Sequence, residues 1–134
     1  MKKVIAFGSF DVLHKGHEHY LKEAKGYGSY LVVVVARDCN IVKFKGRKPK
    51  NNEKYRLEQV KKLNFVDEVV LGNKDNILKV LEEHRPDIIC LGYDQKTIDE
   101  EKLRDELKKR NLKAEVLRIK PYKEHIYKSS KLKG

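Results

Sequence analysis

Two histidines, His14 and His17, flank Lys15-Gly16 near the start of the chain. Imidazole N–H groups donate hydrogen bonds to phosphate oxygens, more strongly when the ring is protonated. Gly16 opens a stretch with helical spacing, and the start of a helix offers unpaired backbone N–H groups and a dipole that favours an anion. Gly8 ends the apolar run Val4-Ile5-Ala6-Phe7; a glycine there lets the chain turn sharply and a ligand come close. Two blander readings compete: a structural histidine on an apolar helix face for His17, and a His-x-x-His metal pair. Neither explains why both rings follow a strand-Gly turn and bracket a helix-opening glycine, so phosphate binding is the reading preferred. The loop matches neither the GxxxxGK[ST] nor the GxGxxG pattern, which sets aside a Walker-type NTPase and a dinucleotide oxidoreductase.

The elements that must carry this loop alternate along the 134 residues. Apolar runs at 4–7, 30–36, 66–71, 87–91 and 114–119 predict five strands. Between them, helices are predicted over 16–27, over 53–63 with Asn52 as cap, over 76–83 with Asp75 as cap, and from the box Thr97-Ile98-Asp99-Glu100 to Arg110. Residues 43–51 read as a basic loop. Uniformly apolar strands alternating with helices predict an α/β, Rossmann-like fold: a five-stranded parallel sheet covered by helices on both faces. The length suits a single domain spanning 1–134. Ligands of such sheets bind at the carboxyl ends of the strands, where the strand order reverses, and the first strand usually adjoins that point. The loop from Gly8 to His17 is thereby placed where a ligand should sit.

The net charge of +11 is concentrated rather than spread. Residues 43–56 contain seven Lys/Arg and one acid, and residues 118–134 contain six and one; the rest of the chain is balanced. Two such segments imply anion-binding surfaces for nucleic acid or a phosphorylated small molecule. No apolar run approaches a membrane span, with Tyr30 to Ala36 the longest, and the first strand is too short for a signal-peptide core. The expectation is a cytoplasmic protein with no membrane partner. Cys39 and Cys90 form no CxxC pair, so a disulfide framework or zinc site is not expected. Cys90 reads as a core residue, and Cys39 as partly exposed.

Gly8-Ser9-Phe10-Asp11-x-x-His14-x-Gly16-His17 resembles the signature of the cytidylyltransferase-like nucleotidyltransferases. The likeness continues in order through Ala36-Arg37-Asp38, Lys45-Gly46-Arg47-Lys48-Pro49, Arg56, Phe65-Val66-Asp67-Glu68-Val69, Leu91-Gly92-Tyr93-Asp94-Gln95 and Tyr127-Lys128-Ser129-Ser130-Lys131. It implies in-line attack by an acceptor phosphate on the α-phosphate of a nucleotide, with release of pyrophosphate. His14, His17, Lys45 and Arg56 are then the catalytic donors. Gly8, Ser9, Phe10, Asp11, Gly16, Gly92, Asp94, Tyr122, Tyr127, Ser129, Ser130 and Lys131 form the nucleotide site. Ser129-Ser130-Lys131 matches the family motif that holds the β and γ phosphates; its alternative is a basic tail, and the chain ends soon after it.

Magnesium is the expected companion of the triphosphate, and no protein ligand to it is assigned. Asp11 either helps orient the ion or locks the turn through backbone hydrogen bonds. Arg47-Lys48-Pro49 and Leu91-Gly92-Tyr93-Asp94-Gln95 look more like archaeal FAD synthases than glycerol-3-phosphate cytidylyltransferases. The latter carry a tryptophan near Asp94, and this chain has none. ATP and FMN are therefore the favoured substrates, with CTP and a polyol phosphate second. The basic loop suits a phosphate-bearing acceptor; its alternative is a solvated surface. A different class, RNA or DNA binding with Tyr122 and Tyr127 stacked on bases, would need neither histidine and stands behind the enzyme, as does a nucleotide sensor without turnover. Relatives are commonly dimers, which makes a homodimer the expected assembly.

Overall fold

A computed structural model describes residues 2–73, 77–92 and 100–119, with the backbone alone for Phe44, Lys45 and Ile77. Five strands, β1 (Lys3–Gly8), β2 (Tyr30–Val35), β3 (Glu68–Leu71), β4 (Ile88–Gly92) and β5 (Glu115–Ile119), form one sheet in the order β3-β2-β1-β4-β5. Every neighbouring pair is parallel. The chain winds outward from β1 to β3, returns to the other side of β1 as β4, and ends on β5. Strand order therefore reverses between β1 and β4, and β1 adjoins the reversal as its sequence position predicts.

Alternation along the strands divides the core in two. Val4 and Ala6 of β1, Leu31, Val33 and Val35 of β2, and Ile88 and Cys90 of β4 face one cluster. Tyr20, Leu21 and Ala24 of α1 (Lys15–Gly26) and Val60 of α3 (Glu53–Lys61) complete it. Ile5, Phe7, Val32, Val34, Ile89 and Leu91 point the other way. They meet Leu78 and Leu81 of α4 (Ile77–His84) and Leu103 and Leu107 of α5 (Glu100–Lys109). Both faces are covered, so the central strands carry buried apolar side chains on both faces. Truncating a fully buried residue such as Leu81 or Ile89 to alanine should cost about 2–5 kcal/mol.

Helix ends follow the local chemistry. The Asn52 side chain accepts from Tyr55 N at 2.8 Å and starts α3. One expectation fails: residues 43–51 are not all loop. A short helix, α2 (Asp38–Lys45), precedes a loop that begins at Gly46. Gly46 ends the helix in a left-handed conformation (φ 73°) and its N–H returns to Val42 O at 2.8 Å. Density of lysine hid this helix, in which Ile41 alone is buried among the described side chains. Its readable signals were an acid at the first turn, Asp38, and a glycine one residue past the end. The expected caps at Asp75 and Thr97-Ile98-Asp99 lie outside the described residues.

Candidate active site

His14 and His17 form a reciprocal cap on α1. His14 has extended backbone (φ −138°, ψ 178°), and its Nδ1 accepts from Gly16 N at 3.0 Å. His17 Nδ1 accepts from His14 N at 3.3 Å. The rings stack with centroids 3.9 Å apart and 17° between planes. This is the logic of a capping box with imidazoles in place of hydroxyl and carboxylate. A backbone N–H facing each Nδ1 fixes that nitrogen as an acceptor, which puts the proton of a neutral ring on Nε2. Each ring therefore carries its N–H on the edge away from the helix backbone. In its neutral form the pair offers two Nε2–H groups at a helix start.

Two glycines set this geometry sterically. A Cβ on Gly16 would lie 2.8 Å from Cε1 and 3.0 Å from Nδ1 of His14. A Cβ on Gly8 would lie 2.5–2.9 Å from the Phe10 ring. Phe10 is buried at a positive φ of 50°, and its ring meets His17 edge-on at 5.4 Å. Phe10 is thus packing beneath the histidines rather than part of an open pocket wall.

Asp11 acts on the protein backbone. Its Oδ2 accepts from Lys50 N at 2.7 Å and its Oδ1 from Asn51 N at 2.8 Å, while Asn51 Nδ2 donates to Asp11 O at 2.6 Å. Of the two roles weighed for Asp11, turn locking is the one the geometry displays. Among the described residues no group of three or more His, Cys, Asp or Glu side chains is arranged to hold a metal ion.

Arg56 is where residue type misleads. It is 0% exposed. Nε donates to Asn51 O at 3.0 Å, Nη1 to Ser9 O and to Ala36 O at 2.7 Å each, and Nη2 to Asp38 Oδ1 at 2.6 Å. Direct donation to a substrate phosphate, expected of an arginine here, does not match this placement. One guanidinium instead ties together the loops after β1 and β2, the start of α2 and the entry to α3. Arg37 and Glu53 extend the network: Arg37 Nε donates to Gly72 O at 2.5 Å, and Glu53 accepts from Asp38 N at 2.9 Å. Asn51 and Glu53 were missed as site residues in the sequence, and Arg37 stood there only within the family likeness, because no spacing rule marks a residue that bonds to a distant loop's backbone.

Beside this network lies a cavity of about 520 Å³ lined by Asp38, Cys39, Val42, Lys48, Pro49, Lys50 and Asn52. The basic loop thus contributes Lys48, Pro49 and Lys50 to a concave surface. Lys45 belongs to the end of α2, and its side chain is not described. Gly92 ends β4, and Arg118 Nη1 donates to its carbonyl at 2.5 Å. Cys39 is exposed; Cys90 is buried and its thiol is pushed up to about 12, so it is inert packing. Asp94, Tyr122, Tyr127, Ser129, Ser130 and Lys131 lie outside the described residues. The placed residues therefore form two groups: His14, Gly16 and His17 at the capped start of α1, and Gly8, Ser9, Phe10, Asp11 and Arg56, which pack or bond around that start. None of the described helices is long and apolar enough to cross a membrane.

Residues 5–134 match the family model described as cytidylyltransferase-like. An FAD synthase from Ferroglobus placidus is 53% identical over 120 residues, 90% of this chain and 77% of that protein. An FAD synthase from Methanothermus fervidus is 53% identical over 122 residues, 89% of this chain and 83% of that protein. The crystal structure of a lipopolysaccharide core biosynthesis protein from Thermoplasma volcanium superposes with a TM-score of 0.85 and 44% identity, covering 91% of this chain and 98% of that one. Pantoate-beta-alanine ligase from Francisella tularensis shares the fold alone, with a TM-score of 0.64 and 13% identity over 98% of this chain and 67% of its own.

Proposed function

Since the chain belongs to the cytidylyltransferase-like family, we propose that it is an FAD synthase, transferring AMP from ATP to FMN with release of pyrophosphate. The observation that carries the chemistry is the imidazole cap on α1, in which both Nδ1 atoms accept backbone N–H groups and the neutral rings carry their N–H on Nε2, in the loop that follows β1 beside the strand-order reversal. The choice of substrates follows the FAD synthase relatives, about half identical over nine tenths of the chain.

A terminal oxygen of the FMN phosphate attacks the α-phosphorus of ATP, a new P–O bond forms, and the bond to the β-phosphate oxygen breaks. The attacking phosphate is already anionic, so no side chain need remove a proton. Catalysis rests on alignment and on stabilising charge at the α-phosphate and the leaving pyrophosphate. His14 and His17 supply that stabilisation through Nε2–H. Lys48 and Lys50, in the cavity beside Asp11, suit the phosphate of FMN. Ser129, Ser130 and Lys131 complete the triphosphate grip, with Tyr122, Tyr127, Gly92 and Asp94 at the nucleoside end. ATP enters as its magnesium complex. Magnesium would neutralise charge on the phosphates, and no protein ligand to it is assigned; both Asp11 carboxylate oxygens accept backbone N–H groups. The protein works in the cytoplasm as a homodimer, for which sedimentation should give twice the 15.7 kDa chain mass.

Pyrophosphate release with ATP or CTP, against FMN, glycerol 3-phosphate and phosphopantetheine, tests the reading. Signal is expected with ATP plus FMN alone, accompanied by FAD. Release with CTP plus glycerol 3-phosphate alone would replace this activity with the polyol-phosphate cytidylyltransferase reaction. Nucleic-acid binding undiminished by His14→Ala, with no turnover of any pair, would remove the enzyme reading.

A further inference from the structure

Tyr20 projects from α1 into the place where β1 and β4 part company. Their register runs Val4–Ile88, Ile5–Ile89 and Ala6–Cys90, whereas β1 and β2 stay paired through Gly8 and Val35. Beyond Ala6 the β4 side of β1 needs partners for its backbone polar groups. The Tyr20 hydroxyl meets that need: Phe7 N donates to it at 3.2 Å, and Phe7 O and Cys90 O lie 3.0 and 2.9 Å from it as acceptors. Its ring in turn stacks on Phe10, with centroids 6.5 Å apart and 22° between planes. Phe10 meets His17 edge-on, and His17 stacks on His14. Four rings form one column, with its foot bonded to both strands and its head formed by the capping histidines. Phe10 reaches its place only through a positive φ and a side-chain-free Gly8.

We propose that Tyr20 is a positioning residue for nucleotidyl transfer, which acts through Phe10 to hold the His17 imidazole at the height and angle the α-phosphate requires. The hydroxyl registers the column against β1 and β4, so the split that admits the nucleotide and the donors that act on it share one support. An aliphatic residue at this position would fill the core equally well but could register neither strand. The proposal rests on the reading of the histidines as phosphate donors.

The test is a double-mutant cycle on kcat for FAD formation, with Tyr20→Phe made in the wild-type and His17→Ala backgrounds and assayed well below each melting temperature. A ring height wrong by a fraction of an ångström should lower kcat about tenfold in the wild-type background, with KM for ATP and FMN changed less than about threefold. In the His17→Ala background the same substitution should change kcat less than about twofold, because the group it positions is gone. Equal losses in the two backgrounds, or a wild-type-background loss under twofold, would overturn the proposal, since a purely structural tyrosine behaves that way. Long-range ¹H–¹⁵N spectra of the His17 ring supply a readout without substrate. Tyr20→Phe should shift its Nδ1 and Nε2 signals, and unchanged signals overturn the proposal even if turnover falls. Should wild type make no FAD, the substrate assignment fails and the spectra alone decide the column. If Tyr20→Phe does not fold, Phe10→Leu breaks the column at its middle with the hydroxyl bonds intact, and the same criteria apply.

Discussion

The starts of α1 and α2 are built from the same unit, a parallel strand, a turn and a helix, yet they end in opposite electrostatic states. At α1 the caps are imidazoles, His14 and His17, bonded through Nδ1. At α2 the first N–H, that of Asp38, is already held by the Glu53 carboxylate, and Asp38 itself pairs with buried Arg56. A helix start favours an anion; α2 has satisfied that preference from within the chain, while α1 has been capped without spending it. Glu18 lies in the first turn of α1 but makes none of these caps. Under the proposed function, this difference favours substrate phosphate at β1 over β2, although both loops open on the same edge of the sheet.

The strongest way to break this contrast is to make α1 resemble α2. His14→Asp keeps a good helix cap but brings a carboxylate, so the melting temperature should hold while kcat/KM falls about 10³-fold or more, beyond the loss of one donor. His14→Ala removes the donor without adding charge and should cost about 10²–10³-fold in kcat. If the aspartate variant is no worse than the alanine variant, charge at the cap does not matter and the contrast is empty. Gly16→Ala comes next: its methyl would displace the His14 ring, and kcat should drop about tenfold. Fold stability should barely change in it, since alanine is the better helix former by about 1 kcal/mol.

Asp11→Asn sharpens the comparison by separating scaffold from donor. It removes one of two carboxylate acceptors for the Lys50 and Asn51 N–H groups. Unfolding free energy should fall by about 1–2 kcal/mol, and KM for FMN should rise more than KM for ATP. The smallest effect lies at the opposite edge of the sheet. The Lys25 ammonium, then the Leu31 N–H, hold the Asp67 carboxyl below its usual 3.8. A lowered folded value contributes stability above the normal carboxylate range that is lost as pH falls through it. Melting temperatures recorded from pH 5 to 3 should therefore drop less steeply in Asp67→Asn than in wild type, with activity at neutral pH unaffected.

Much of this was legible in the residues themselves. Five apolar runs gave the strands, because a sheet buried on both faces leaves no polar alternation to confuse the pattern. His14, Gly16 and His17 were legible because a cap, a helix start and a ligand site share one short stretch. Less legible was anything settled between distant segments. Arg56 is an arginine in a basic region, and only the fold reveals that four backbone and side-chain oxygens surround it. Tyr20 was not singled out in the sequence, because its polar contacts are to the backbone of two distant strands. Helix α2 was masked by its lysines.

The central claim is that His14 and His17 present neutral Nε2–H donors to the triphosphate. Long-range ¹H–¹⁵N spectra of the selectively labelled protein, recorded with and without a non-hydrolysable ATP analogue and magnesium, test it most directly. Both rings should show the Nε2–H form before addition, and both Nε2 signals should move on binding while the Nδ1 signals keep their acceptor character. Rings protonated on Nδ1, or Nε2 signals indifferent to saturating nucleotide, would contradict the account.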